Sequence, residues 1–149
     1  MILDSFLEVS TAQALTTTAV STNSIDLGTS GRNIFIGSAI TFEMVVDVAL
    51  AAGTTVTMEI IQTTAADLTG TVTVIGRSPV VVQADLIAGA KIRTTANGLQ
   101  KLDPPDAATA LQYLGIRYTI TGTFNAGTVT TYYVPQGALQ DSQQFHGQV

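Results

Sequence analysis

Carboxylates are the side chains of this chain whose type and spacing could do chemistry. Glu43, Asp47 and Glu59 are predicted on one face of a pair of strands, and two carboxylates that flank a glycosidic bond can hydrolyse it. A sugar site would also need an aromatic platform, but no aromatic residue lies near them on that face and the chain contains no Trp. A solvated or interface-facing strand surface is therefore the favoured interpretation.

Other chemistry-bearing residues give no stronger signal. Asp67, Asp85, Asp103 and Asp106 lie in predicted loops, and their spacing does not match a calcium-binding loop such as the EF-hand, so we interpret them as turn formers. His146 is the single histidine, which leaves a Ser-His-Asp triad or a histidine metal site without support. No glycine-rich phosphate loop is present. We expect no enzymatic activity, no cofactor and no metal site.

Composition limits the possible partners. The 149 residues are 46% hydrophobic and 11% charged, against about 25% charged residues in ordinary soluble domains. A net charge of −5 and a pI near 4.4 argue against nucleic-acid binding. The absence of Cys excludes disulfides, and the sequence shows neither a signal peptide nor a run long enough to span a membrane. We expect a cytosolic product that binds neither nucleic acid nor membrane.

Residues 113–134 show the clearest strand pattern of the chain. Ile116, Tyr118 and Ile120 alternate with polar residues, which is typical of a strand buried on one face. A turn at residues 125–127 then predicts a hairpin in which Ile120 faces Tyr132 and Thr119 faces Tyr133.

This register places Tyr132 on the core face. It also leaves an outer face whose arginine, threonines and tyrosine resemble the composition of protein interfaces. We predict that four residues of this outer face bind a partner: Arg117, Thr119, Thr131 and Tyr133.

A second hairpin is predicted earlier in the chain. Residues 40–48 alternate, a turn occupies residues 50–54, and closing it places Val48 opposite Val56 and Met44 opposite Ile60. Phe42, Met44, Val46 and Val48 would then share the core face, whereas Val45 would lie on the outer face with Glu43 and Asp47.

Short strands spaced 8–12 residues apart predict an all-β fold, a jelly-roll-like β-sandwich in a single domain with extended termini. Residues 1–10 are predicted as an N-terminal arm or edge strand, residues 11–135 as the sandwich, and residues 136–149 as a polar tail. A terminal arm that orders on a partner depends on its few large apolar anchors. We therefore also predict partner contacts by Phe6, Leu7 and Phe145.

Three stretches carry a resemblance to a known family: residues 1–4 (Met-Ile-Leu-Asp), the Thr- and Ala-rich run of residues 10–28, and residues 113–131. Together they resemble the Bbp16-like capsid cement proteins of tailed bacteriophages. The resemblance implies a jelly-roll protein on the capsid exterior, made in the host bacterial cytoplasm, often dimeric, that clamps neighbouring major capsid proteins. The alternative from another class is a non-enzymatic β-sandwich module that recognises carbohydrate or a host surface.

Overall fold

Strands with alternating apolar residues build the part of the chain that the computed structural model describes, residues 7–27, 39–96 and 111–134. They follow one another as β1 (Glu8–Ala14), β2 (Ala19–Val20), β3 (Ile25–Asp26), β4 (Ile40–Ala51), β5 (Thr55–Thr63), β6 (Val72–Arg77), β7 (Val81–Val82), β8 (Lys91–Ala96), β9 (Tyr113–Thr121) and β10 (Ala126–Val134). A short 3₁₀ helix, Gln83–Asp85, separates β7 from β8.

Two antiparallel sheets pack face to face. Sheet A has the strand order β1-β10-β4-β8, and sheet B has the order β2-β9-β5-β6, with β3 also paired to β9 and β7 also paired to β5. Both sheets contribute to one buried apolar cluster, to which β4 gives Phe42 and Met44 and β5 gives Met58 and Ile60. The prediction of an all-β sandwich is confirmed.

Both predicted hairpins are wrong. β9 belongs to sheet B and β10 to sheet A, so residues 122–125 cross between the sheets, and the turn between β4 and β5 crosses in the same way. Thr119 pairs with Thr57 and not with Tyr133, while Met44 pairs with Thr131 and not with Ile60. The physical reason is that an arch between two sheets and a hairpin within one sheet both bring alternating apolar residues onto a common core.

The predicted faces of β10 are reversed. Tyr133 lies on the core face, where its ring meets that of Phe42 edge to face at a centroid distance of 5.8 Å, and Thr131 is fully buried. Tyr132 points to the outer face and bonds Glu43. The residues that alternate along β10 form two sets, and each set contains both apolar and polar side chains. The pattern alone therefore does not select the core face, and lateral pairing with β4 decides which set faces inward.

Val48 also departs from the prediction. It is 53% exposed instead of facing the core. The cause is a register shift between β10 and β4, where Thr128 pairs with Val48 but the next residue, Val129, pairs with Val46. An irregularity of this kind changes the face to which the strand residues point.

Residues 8–10, which the sequence left open between an arm and an edge strand, form the start of β1 at the edge of sheet A. Residues 1–6 and the predicted tail, residues 136–149, lie outside the described ranges.

A hydroxyl network connects the two sheets through the core. The Tyr118 hydroxyl of β9 donates to Thr131 Oγ1 of β10 at 2.7 Å and lies 2.8 Å from Ser10 Oγ of β1. Ser10 Oγ in turn donates to Gln13 Oε1 at 2.7 Å. Burial raises the pKa of Tyr118 to about 12, although these hydrogen bonds oppose the rise, so the ring stays neutral in ordinary buffers.

We expect Tyr118→Phe to lower the free energy of unfolding by about 1–3 kcal/mol, because it leaves the hydroxyls of Ser10 and Thr131 buried without this partner. Urea unfolding followed by circular dichroism measures the change. Tyr113→Phe, on the half-buried outer side of the same strand, is the matched control and should stay within about 0.5 kcal/mol of the wild type. Equal unfolding midpoints for Tyr118→Phe and the wild type would contradict a stabilising role of the network.

Candidate functional site

Two buried glutamates organise the outer faces of the sandwich. Glu43 of β4 and Glu59 of β5 have side chains only 3% and 4% exposed. Each lies between two core residues of its strand, so its side chain points to the outer face of its own sheet. Each strand is also flanked by neighbours on both sides, which bring polar groups to the carboxylate.

The Glu43 cluster joins three strands of sheet A. Its carboxylate accepts hydrogen bonds from Arg93 Nε of β8 and from the Tyr132 hydroxyl of β10. Lys91 Nζ, also of β8, lies 3.6 Å from Glu43 Oε1. The pKa of Tyr132 is raised to about 12, mainly by burial and further by the hydrogen bond to Glu43 and the negative charge of Glu43. The hydroxyl therefore keeps its proton and remains a donor.

The Glu59 cluster repeats the arrangement in sheet B. Arg77 of β6 donates from Nε and Nη2 to Glu59 Oε1, at 2.7 and 2.6 Å. Arg117 Nε and Thr119 Oγ1 of β9 donate to Oε2, at 2.6 and 3.0 Å. Both carboxylate oxygens are therefore occupied, one by each neighbouring strand.

Both glutamates are held ionised. Burial alone raises the pKa of Glu43, but the hydrogen bonds from Tyr132 and Arg93 and the charges of Arg93 and Lys91 outweigh it and bring the pKa below its ordinary value. The pKa of Glu59 is likewise lowered, because hydrogen bonds from Arg117, Thr119 and Arg77 and the Arg117 charge outweigh burial. A general acid needs a raised pKa, so neither carboxyl has the character of one.

Each cluster carries more positive than negative charge. Glu43 faces Lys91 and Arg93, and Glu59 faces Arg77 and Arg117, so one anion meets two cations on each outer face. These four are all of the Lys and Arg residues within the described ranges. On sheet A this excess is local to the cluster, because Asp47 lies on the same outer face and Glu8 pairs with Tyr132 beside the cluster.

The three carboxylates that sequence reasoning placed on one face are divided by the fold. Glu43 and Asp47 share the outer face of sheet A, where Asp47 accepts a hydrogen bond from Thr130 at 2.7 Å. Glu59 lies on sheet B, on the opposite side of the sandwich. The predicted common face is wrong for the same reason as the hairpin, because β4 and β5 belong to different sheets.

The predicted partner-binding residues of β9 and β10 fall in two places. Arg117 and Thr119 lie on the outer face as predicted, within the Glu59 cluster. The outer-face placement of Thr131 and Tyr133 is wrong, because both side chains point into the core, and their assignment as partner-binding residues loses its basis.

The three terminal anchors are the remaining predicted site residues. Leu7 is half-buried against the protein's own core, while Phe6 and Phe145 lie outside the described residues. Partner binding by Arg117, Thr119 and the terminal residues stays a prediction.

Sequence reasoning missed two features. It did not connect Glu59 with Arg77 and Arg117, because that contact requires β5 to lie between β6 and β9. It also missed the exposed apolar side chains of Val80, Val82 and Ile87, in and near β7. The usable signal was composition, because residues 78–90 contain a single charge, Asp85.

Within the described ranges, no three His, Cys, Asp or Glu side chains group closely enough to hold a metal ion. The same residues include no helix with the length and apolar character needed to cross a membrane.

We expect stability to fall in acid through the two clusters. A carboxyl whose folded pKa is lowered stabilises the protein fully above its unfolded pKa, about 4.3 for Glu, and loses that contribution as the pH falls through the folded pKa. Melting temperatures of the wild type should therefore drop between about pH 5 and pH 3. Thermal unfolding across this range measures the drop.

Glu59→Gln should flatten this acid slope and cost about 1–2 kcal/mol at pH 7, a value kept low because its arginine partners are partly solvated. Asp85→Asn, at an exposed carboxylate outside both clusters, is the control and should leave the stability at pH 7 nearly unchanged. An unaltered acid slope in Glu59→Gln would show that the cluster does not carry the pH dependence.

Comparison with protein families gives a match to the Bbp16 family model over residues 9–133. The matched range runs from the second residue of β1 to the residue before the end of β10, so it includes nearly all of both sheets and both glutamate clusters. No curated protein matches the chain significantly. Because the family model covers most of the chain, the protein belongs to the Bbp16 family, a phage-related family.

Proposed function

We propose that this protein is a capsid cement protein. In this role it binds the outer surface of the major capsid protein shell and stabilises the shell by clamping neighbouring subunits. The observation that carries the proposal is the family match, which extends over both sheets of the sandwich and not over one local motif.

The described structure supports a function performed by surfaces. Side chains from both sheets fill the space between them. The two most buried carboxylates are held ionised by cations instead of facing a substrate. With few charges to strip of water, broad faces of such a sandwich can be covered at low desolvation cost.

The remaining parts of the proposal concern partners and location. The major capsid protein is the proposed partner, the capsid exterior of the virion is the proposed location after synthesis in the host bacterial cytoplasm, and the proposed role is non-enzymatic. We also propose a homo-oligomer, with a dimer favoured, which would require a self-complementary patch on the surface.

We expect particles assembled without this protein to form but to release their contents at a lower temperature or a milder osmotic shock than complete particles. The reason is that a clamp adds contacts that must break before subunits separate. Adding the purified protein back should restore the resistance. Thermal release of packaged DNA, followed with an intercalating dye, measures the effect, and equal robustness of the two kinds of particle would refute the clamp.

Two adjacent residues separate partner binding from folding. Leu7→Ala should lower the melting temperature of the free protein, because Leu7 packs against its core. Phe6→Ala should leave that temperature nearly unchanged and weaken binding to particles, as expected of an arm anchor, and Phe145→Ala should do the same. Differential scanning fluorimetry and co-sedimentation with particles measure the two effects. A loss of several degrees in Phe6→Ala would show that Phe6 belongs to the core.

A further inference from the structure

Two arginines of sheet B hold one buried carboxylate from opposite sides. Arg77 belongs to β6 and Arg117 to β9, and Glu59 lies between them on β5. The register pairs Glu59 with Arg77 on one side and with Arg117 on the other, so the three side chains form one row across the sheet. The two guanidinium groups therefore share one surface, and only a carboxylate and its hydrogen bonds separate them.

The carboxylate of Glu59 has no capacity left for further donors. Arg77 Nε and Nη2 donate to Oε1, and Arg117 Nε and Thr119 Oγ1 donate to Oε2. An ionised carboxylate offers about four acceptor positions, and these donors fill them. Any N–H group that remains on either arginine must bond another acceptor.

Both guanidinium groups keep N–H donors that Glu59 does not use. An arginine has five such donors; toward Glu59, Arg77 uses two and keeps three, and Arg117 uses one and keeps four. Among the described residues, Glu59 is the one acceptor that either group bonds. The side chains of Arg77 and Arg117 are 61% and 32% exposed, so the fold leaves both groups accessible to a ligand.

The row carries a surplus positive charge of one. Two guanidinium groups face one carboxylate, which their hydrogen bonds keep ionised. Among the described residues, Glu59 is the one carboxylate that forms an ion pair with either arginine. Asp67 lies in a loop over the same face, because the next residue, Leu68, packs on Gly115, but its Oδ1 accepts two hydrogen bonds from Thr69. The described fold therefore leaves the surplus charge without a paired anion.

Glu59 orders the two arginines before any ligand arrives. Its own side chain is only 4% exposed and is fixed at the centre of the row. A long side chain that becomes immobile on binding loses conformational entropy. Because the hydrogen bonds to Glu59 already restrict both arginines, this loss on binding is reduced.

Neutral side chains continue the outer face beside the row. Thr57 pairs with Thr119, and Thr55 pairs with Thr121, at the next two outward positions of β5 and β9. Threonines bring no second charge that would have to be stripped of water when a partner covers the face. The arginine pair is thus the main electrostatic feature of this part of sheet B.

The unused donors define the class of ligand. They are N–H groups in planar forks, and such forks bind carboxylates and phosphates through two parallel hydrogen bonds. A surplus of one positive charge matches the single negative charge of a carboxylate. The net charge of −5 opposes the approach of a polyanion such as nucleic acid. A carboxylate carried by a protein is therefore the ligand that fits.

We propose that Arg77 and Arg117, positioned by Glu59, form the site at which this protein binds a carboxylate side chain of the major capsid protein. The inference rests on the proposed cement function and adds the chemistry of the contact. The two guanidinium groups touch the ligand. Glu59 is a positioning residue, because it orients both arginines and has no acceptor position left.

Binding of purified variants to particles that lack the protein tests the site. Arg77→Gln removes one guanidinium group, and we expect it to weaken binding at least about tenfold, because a charge-assisted pair is lost. Arg93→Gln is the matched control, since it removes the same charge from the cluster around Glu43 on the other sheet, and it should bind like the wild type. Each variant loses an ion pair with a buried glutamate, so the melting temperatures of the two free variants should fall by comparable amounts.

A second arm of the experiment changes the partner and leaves this protein intact. Carbodiimide and glycinamide convert the exposed carboxylates of the particles to neutral amides. We expect the wild type to bind amidated particles at least about tenfold more weakly than mock-treated particles, because the ligand has lost its charge. This arm does not depend on the folding of any variant.

Each other result overturns a defined part of the proposal. If the wild type binds particles and Arg77→Gln binds equally well, the arginine pair is not the contact although the cement function stands. If Arg93→Gln weakens binding as much as Arg77→Gln, net charge governs binding and the site does not. If amidated particles bind the wild type normally, the ligand is not a capsid carboxylate. If the wild type does not bind untreated particles, the cement function fails and the inference fails with it.

Discussion

Burial of two carboxylates outside the apolar core is the constraint on which the rest of the structure depends. A buried anion is costly unless cations and hydrogen bonds surround it. Glu43 obtains them from β8 and β10, and Glu59 obtains them from β6 and β9. A shift of one residue in any of these four pairings would turn the partner side chain to the other face of its sheet. Each glutamate therefore fixes the register of a central strand against both of its neighbours.

The same two clusters also hold the ends of residues 78–90, the segment that leads from β6 to β8. Arg77 and Lys91 border it in sequence, and each is held by a glutamate on a different sheet. The ends of this segment are thus fixed by ion pairs and its middle by backbone hydrogen bonds to β4 and β5. This explains how a segment with exposed valines and an isoleucine keeps a defined shape in water instead of collapsing onto the core.

Alternation in the sequence was enough to predict the strands and the sandwich, but not their pairing. The core positions of Ile116, Tyr118 and Phe42 follow from period-2 patterns, which report only that a side chain faces apolar neighbours. Such patterns cannot tell whether those neighbours lie beside the strand or across the core, so two arches were predicted as hairpins. Arg117 and Thr119 were placed on the correct face, but their shared partner Glu59 becomes visible only once β5 is known to pair with β9.

In the proposed cement role, the sandwich has to transmit a pull between neighbouring shell subunits without deforming. β4 and β10 are paired along most of their length and are connected to sheet B through the Tyr118 hydroxyl network. The hydrogen bonds and ion pairs that hold the sheets in register would then also resist the pull between two shell subunits.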